Sequence, residues 1–221
     1  MISIIIPCYE MYGKGGEYLK RSLDILERQV YKDFEVVIPD NSDDDVIEHI
    51  ANHSPLKINY FKNPRKGMAA NTNEGIKAAK GEIIKILYQD DYFKTTESLR
   101  IIVDNFKKST NWLATGCLHL VGREEINPHY PVFNHEMFNG NNMIGSPSVT
   151  AFRNDNPILM DETLQWVLDL DLYIKMYNRY GIPDYLYDLN VVIGLGKHQT
   201  TNALTEQVKS KEIEIIKLNN E

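Results

Sequence analysis

The segment Ile2-Ser3-Ile4-Ile5-Ile6-Pro7 is an almost unbroken run of β-branched residues that a proline ends. A strand covered on both faces has this look, because neither face calls for polar alternation, and such strands sit in the middle of parallel sheets. Outward from it, Leu19, Leu23 and Leu26 recur at helical spacing within residues 17–29, among Lys20, Arg21, Asp24, Glu27 and Arg28. That spacing predicts an amphipathic helix with one apolar stripe.

The alternation continues. Phe34-Glu35-Val36-Val37-Ile38 reads as a strand, residues 44–53 as a helix and residues 57–61 as a short strand. Residues 68–80 are alanine-rich and helical, Gly81 stands where a helix stops, and residues 82–88 are strand-like ahead of the acidic turn Gln89-Asp90-Asp91. The expected fold class is α/β: a Rossmann-like, mainly parallel sheet flanked by helices, with ligands beyond the carboxyl ends of the strands. Asp40 and Asp90 both fall there.

After residues 95–108, read as a helix, the pattern turns irregular, and Gly, Asn, Pro and His crowd residues 122–147. This predicts a loop-rich, substrate-specific C-terminal half. A helix over residues 164–180, a strand around 185–193 and a charged, amphipathic helix over 205–218 complete the expected elements. With 221 residues, 43% hydrophobic and 25% charged, the chain has material for one full core, and a single domain over residues 1–221 is expected.

Several classes are disfavoured. A net charge of −7 argues against general affinity for nucleic acid. Gly13-Lys14-Gly15-Gly16 comes too late after the first strand, and lacks the last glycine, for a dinucleotide-binding turn, and no P-loop occurs. Cys8 and Cys117 make neither a disulfide framework nor a zinc spacing, which suits a reducing compartment. No basic leader precedes the first apolar run, and no run is long enough to span a membrane, so a cytoplasmic location is expected.

The acidic residues carry the chemistry. Asp40 ends its strand where a side chain can reach the crevice and accept hydrogen bonds from a nucleobase, whereas Asp43, Asp44 and Asp45 read as turn formers and helix caps. Asp90 and Asp91 are adjacent carboxylates that repel unless a cation offsets them, and Mg2+ or Mn2+ would do so.

An ordered set of segments resembles the family 2 glycosyltransferases of the GT-A fold over residues 3 to about 201. Ser3-Ile4-Ile5-Ile6-Pro7-Cys8-Tyr9 is similar to that family's first strand, and Gln29 with Tyr31-Lys32-Asp33-Phe34-Glu35-Val36-Val37-Ile38 to its second. Asp40-Asn41-Ser42-Asp43-Asp44 stands in place of Asp-Asp-Gly-Ser-x-Asp. Asn63 with Lys66-Gly67-Met68-Ala69-Ala70-Asn71-Thr72-Asn73 resembles Asn-x-Gly-x-x-x-Ala-x-Asn. Ala79-Lys80-Gly81-Glu82-Ile83-Ile84 leads to Leu87-Tyr88-Gln89-Asp90-Asp91, against the family's Leu-Asp-x-Asp-Asp. Leu168-Asp169-Leu170-Asp171-Leu172-Tyr173-Ile174-Lys175-Met176 resembles Glu-Asp-Tyr-Asp-Leu-Trp-Leu-Arg-Leu. Tyr88 and Leu168 thus replace two of the family's acids.

The resemblance implies inverting hexosyl transfer from a nucleotide-diphosphate sugar, a UDP-sugar in the first instance, to an acceptor hydroxyl of a glycan or glycoconjugate, as in polysaccharide biosynthesis. By it, Pro7, Tyr9, Glu10, Asp40, Lys66, Asn71, Gln89 and Asp90 hold the nucleotide-sugar. Asp90, Asp91 and His198 are the metal candidates for Mg2+ or Mn2+, with the directly bound carboxylate undecided and His198 equally readable as a loop histidine. Asp169 is the general base, and Asp171 is structural. Residues 1–110 form the nucleotide-sugar and metal half, 111–203 the acceptor half and 204–221 a C-terminal helix. Partners are the donor and a saccharide or glycoconjugate acceptor, with no nucleic acid and no membrane span, peripheral membrane association being left open.

Two alternatives stay beside it. A non-catalytic nucleotide-sugar binding module would tolerate Tyr88 and Leu168. A sugar nucleotidylyltransferase would need a Gly-rich, Arg-containing loop where Pro7-Cys8-Tyr9-Glu10 stands. A processive polymerase is disfavoured, since Gln-x-x-Arg-Trp is absent. His119, His129 and His135 have no metal-ligand spacing, and Trp112 and Trp166 are residues that can stack on sugar rings but are more usually core.

Overall fold

The structure is a computed structural model that describes residues 1–196, 199 and 204–219. Its first half is a parallel sheet in the order β3-β2-β1-β4, formed by β1 (Ile2–Ile5), β2 (Phe34–Asp40), β3 (Ile58–Lys62) and β4 (Ile83–Ile86). Helices α1 (Gly15–Glu27), α2 (Val46–Asn52) and α3 (Met68–Ala78) make the crossovers. Ile4 pairs with Val36 on one side and Lys85 on the other, and Ile2, Ile4, Ile5 and Ile6 are wholly buried. Both faces of β1 are therefore covered, which is why its sequence shows no polar alternation. Helix α3 lies so close to β1 that a Cβ on Gly75 would stand 2.3 Å from Ile5 Cγ2.

The second half extends the same sheet with mixed polarity. β8 (Thr150–Arg153) runs antiparallel to both β4 and β6 (Trp112–Val121), and β6 runs parallel to β9 (Asp184–Gly194). β5 (Tyr92–Phe93) joins β9, and β7 (Glu124–His129) pairs with β6. Helices α4 (Ser98–Asn105), α5 (Leu168–Tyr180) and α6 (Glu206–Leu218) complete the fold.

Residues 122–147, expected to be loop-rich, hold β7 as well as the short 3-10 turn His135–Asn139. Strand β7 is largely exposed and contains Asn127 and Pro128, so no apolar alternation marks it in the sequence.

Lys85 lies fully buried in β4 and donates to the carbonyls of Ser148 and, at 3.2 Å, Thr150. It ties the parallel half to β8, and burial pushes its ammonium down to about 7. Among the described residues no helix is long and apolar enough to cross a membrane.

Candidate active site

The carboxyl ends of β1, β2 and β4 open into a cleft of about 560 Å³. Pro7, Tyr9, Glu10, Lys66, Asn71, Gln89, Asp90, Asp91 and Asp169 all line it, from four separate stretches of chain. Topology explains the convergence, because parallel strands bring their following loops to one edge.

Asn71 and Gln89 line the cleft but spend their polar atoms on the protein. Asn71 Nδ2 donates to the carbonyls of Cys8 at 3.1 Å and Pro39 at 3.0 Å, while its Oδ1 accepts from Asn63 Nδ2 at 3.1 Å. It clasps the ends of β1 and β2 together. Gln89 Oε1 accepts from the Tyr9 amide at 3.0 Å and its Nε2 donates to the Gly15 carbonyl at 2.8 Å, which sets the loop before α1 against the β4 end. Lys66 stands at the rim, paired with Asp43 at 2.6 Å and donating to the Asn41 carbonyl. Glu10 differs from these: its Oε2 is buried and has no hydrogen-bond partner among the described residues.

Asp40, expected at the crevice, does not line the cleft. It lies behind the cleft wall, wholly buried. Its Oδ1 accepts from Ser42 N at 2.8 Å and Ser42 Oγ at 2.6 Å, and its Oδ2 accepts from Tyr60 Oη at 3.0 Å and pairs with Lys62 at 3.0 Å. A buried carboxylate needs such partners, and here they leave no oxygen for a nucleobase. The neighbouring Asn41 lines the cleft instead, although its Nδ2 is engaged by the carbonyls of Asn63 and Arg65.

The two carboxylates of the acidic turn have separate environments. Asp91 is only 2% exposed, with Oδ1 accepting from the Gly194 amide at 2.8 Å and Oδ2 from Ser146 Oγ at 3.2 Å. Burial first, and then the Asp90 charge, push its carboxyl up to about 7. Asp90 is half-buried on the cleft wall, and Arg21 Nη2 donates to its carbonyl at 2.5 Å. The end of β9 closes on this turn so tightly that a Cβ on Gly194 would stand 2.5 Å from the Asp90 carbonyl oxygen.

Among the described residues, no group of three His, Cys, Asp or Glu side chains could hold a metal by itself. Adjacent carboxylates at the cleft are oxygen donors of the kind a hard divalent cation would take, with phosphates and water supplying its remaining ligands. Tyr88, at the family's first acidic position, supplies no charge: burial holds its phenol well above the ordinary value, and its amide donates to Ser148 Oγ at 2.8 Å. His198 lies outside the described residues.

Asp169 stands opposite, in the first turn of α5. Its Oδ1 accepts from the Leu170 amide at 2.8 Å and its Oδ2 from Asn142 Nδ2 at 2.8 Å. Burial pushes the carboxyl up to about 6 against these two bonds, which favour the charged form. Asp171 turns away into an ion pair with Lys175 at 2.5 Å. Trp112 is core, stacked near Tyr173, whereas Trp166 packs against the core and also lines the cleft. A tryptophan near a helix start carries no periodicity that reveals which way it faces. Asn142 went unread because nothing local distinguishes it among the asparagines of residues 139–142.

The family model described as glycosyl transferase family 2 matches residues 3–180. An uncharacterized glycosyltransferase of Rickettsia typhi is 27% identical over 231 aligned residues, covering 96% of this chain and 69% of the relative. Among solved structures, S. aureus TarS 1-349 in complex with UDP-GlcNAc superposes with a TM-score of 0.75 at 19% identity, over 97% of this chain and 66% of that one. The mannosyltransferase PcManGT of Pyrobaculum calidifontis, in complex with GDP-Man and Mn2+, superposes with a TM-score of 0.63 at 17% identity, over 88% of this chain and 56% of that one. The chain therefore spans roughly two thirds or less of these proteins' lengths. The likeness to both solved structures carries the GT-A fold, and the match over residues 3–180 carries the family: this chain belongs to glycosyl transferase family 2 and is a glycosyltransferase of that family.

Proposed function

We propose that the chain transfers a sugar, with inversion, from a nucleotide-diphosphate sugar to an acceptor hydroxyl of a glycan or glycoconjugate, with a UDP-sugar as the first donor to test. The observation that carries this reading is that Asp169 and the Asp90-Asp91 turn face one cleft from opposite elements. TarS with UDP-GlcNAc and PcManGT with GDP-Man and Mn2+ support a nucleotide-sugar as the donor class.

Pro7 and Tyr9 form the floor on which the nucleotide lies, and the unpartnered Glu10 Oε2 is suited to accept a hydrogen bond from a donor hydroxyl. Lys66 offers positive charge at the rim. Asp90, backed by Asp91, would hold Mg2+ or Mn2+, which when bound offsets the diphosphate charge and favours its departure. Asp169 takes the proton from the acceptor hydroxyl. A carboxyl raised to about 6 is still ionised at neutral pH and is a stronger base than an ordinary aspartate. Attack on the anomeric carbon from the face opposite the diphosphate inverts its configuration. Both cysteines are free and buried, which supports a reducing, cytoplasmic setting.

The test is release of nucleoside diphosphate with and without Mn2+, over a panel of donors and acceptors. Asp169→Asn keeps donor binding and loses transfer by at least about 100-fold. Full transfer by that variant overturns the base assignment, and no turnover with any pair favours the non-catalytic binding module, the reading that Tyr88 and Leu168 leave open.

A further inference from the structure

Helix α6 lies beyond the residues that the family model matches, which end at 180. Its one strongly buried acid, Glu212, is 4% exposed and points into the protein rather than to solvent. The carboxylate accepts from three consecutive amides, Gln165 N at 2.9 Å, Trp166 N at 2.8 Å and Val167 N at 3.2 Å. Those residues immediately precede α5, whose N-cap Val167 makes no side-chain capping bond of its own. A carboxylate placed there satisfies amides that would otherwise be orphaned and meets the positive end of the helix dipole.

The same helix braces the other support of Asp169. Gly140, at φ +92°, packs so closely on α6 that a Cβ would stand 2.8 Å from Ile213 Cγ1. Two residues on, Asn142 donates to Asp169. On one side α6 therefore holds the backbone that launches α5, and on the other it seats the loop that delivers Asn142.

We propose that Glu212 is a positioning residue of the transfer site: it fixes the Gln165, Trp166 and Val167 backbone so that Trp166 and Asp169 face the acceptor side of the cleft. This rests on the reading of Asp169 as the base. Glu212 touches no substrate, and its effect passes through the three amides. Glutamine at this place keeps the shape but offers one acceptor oxygen and an NH2 that opposes the amides.

The experiment compares the whole chain with its Glu212→Gln variant and with Glu214→Gln, a change at an exposed acid of the same helix. Hydrogen exchange at residues 165–167, binding of UDP with Mn2+, and kcat and KM for transfer are measured. Glu212→Gln speeds exchange at the three amides at least about tenfold, leaves UDP binding within about twofold, and lowers kcat on the order of 100-fold by misplacing the base. Glu214→Gln changes none of these. Unchanged exchange at residues 165–167, or parallel losses in UDP binding and kcat, overturns the proposal. Exchange of those amides in the unsubstituted chain at the rate of an unstructured peptide also overturns it, without recourse to a variant. Exchange does not pass through catalysis, so a fully active Asp169→Asn chain removes the base assignment and is distinguishable from a failure of Glu212.

Discussion

Asn142 Nδ2 donates to Asp169 Oδ2 at 2.8 Å across 27 residues of sequence, and this bond favours the ionised carboxylate that burial opposes. A carboxyl held near 6 by two opposed effects, the proposed base, is sensitive to the loss of either.

The acid limb of transfer follows from this relationship. Asp169 acts when deprotonated, so kcat falls as pH drops through about 6. Removing the Asn142 donor withdraws an interaction that lowers the pKa, so Asn142→Ala moves the limb to higher pH. The shift expected from one hydrogen bond to a charged group is about one pH unit. A kcat–pH profile of the two proteins measures it, and an acid limb that stays in place assigns the limb to another group.

Asp90 and Asp91 separate by readout. Asp90→Ala abolishes Mn2+-dependent binding of UDP in calorimetry, since the residue lines the cleft. Asp91→Ala strands the Gly194 amide and the Ser146 hydroxyl, at a cost of about 1–3 kcal/mol in denaturant unfolding. Mn2+-dependent UDP binding that survives in Asp90→Ala would remove the distinction drawn between them.

Asp40 is expected to behave as a structural acid. Asp40→Ala leaves Lys62, Tyr60 and Ser42 without their shared acceptor and destabilises by about 2–4 kcal/mol, while the preference between UDP and GDP stays as in the parent chain. An altered base preference at unchanged stability would return Asp40 to the nucleobase.

Which parts of this were legible in the sequence depends on how local the signal was. Helix α1 is written in Leu19, Leu23 and Leu26, because 3.6-residue periodicity is a property of the segment itself. β1 is written in its isoleucines for the same reason. β7 is not, since it is exposed and owes its existence to pairing with β6. Trp166 and Trp112 look alike as residues, and only packing makes one a cleft wall and the other core.

The order of motifs along the chain was enough to establish the α/β class and the resemblance to family 2, and to single out the pair Asp90-Asp91, because each depends on residues near in sequence. The burial of Asp91 was decided by Gly194, 103 residues away, and by Ser146, whose amide and hydroxyl take up its two carboxylate oxygens. The inward turn of Asp40 was likewise decided by Tyr60 and Lys62 on the neighbouring strand. Asp169 owes its environment to Asn142 and to the backbone that Glu212 holds. Partners of a buried polar group come from wherever the fold brings a donor within about 3 Å, and that distance has no counterpart along the chain.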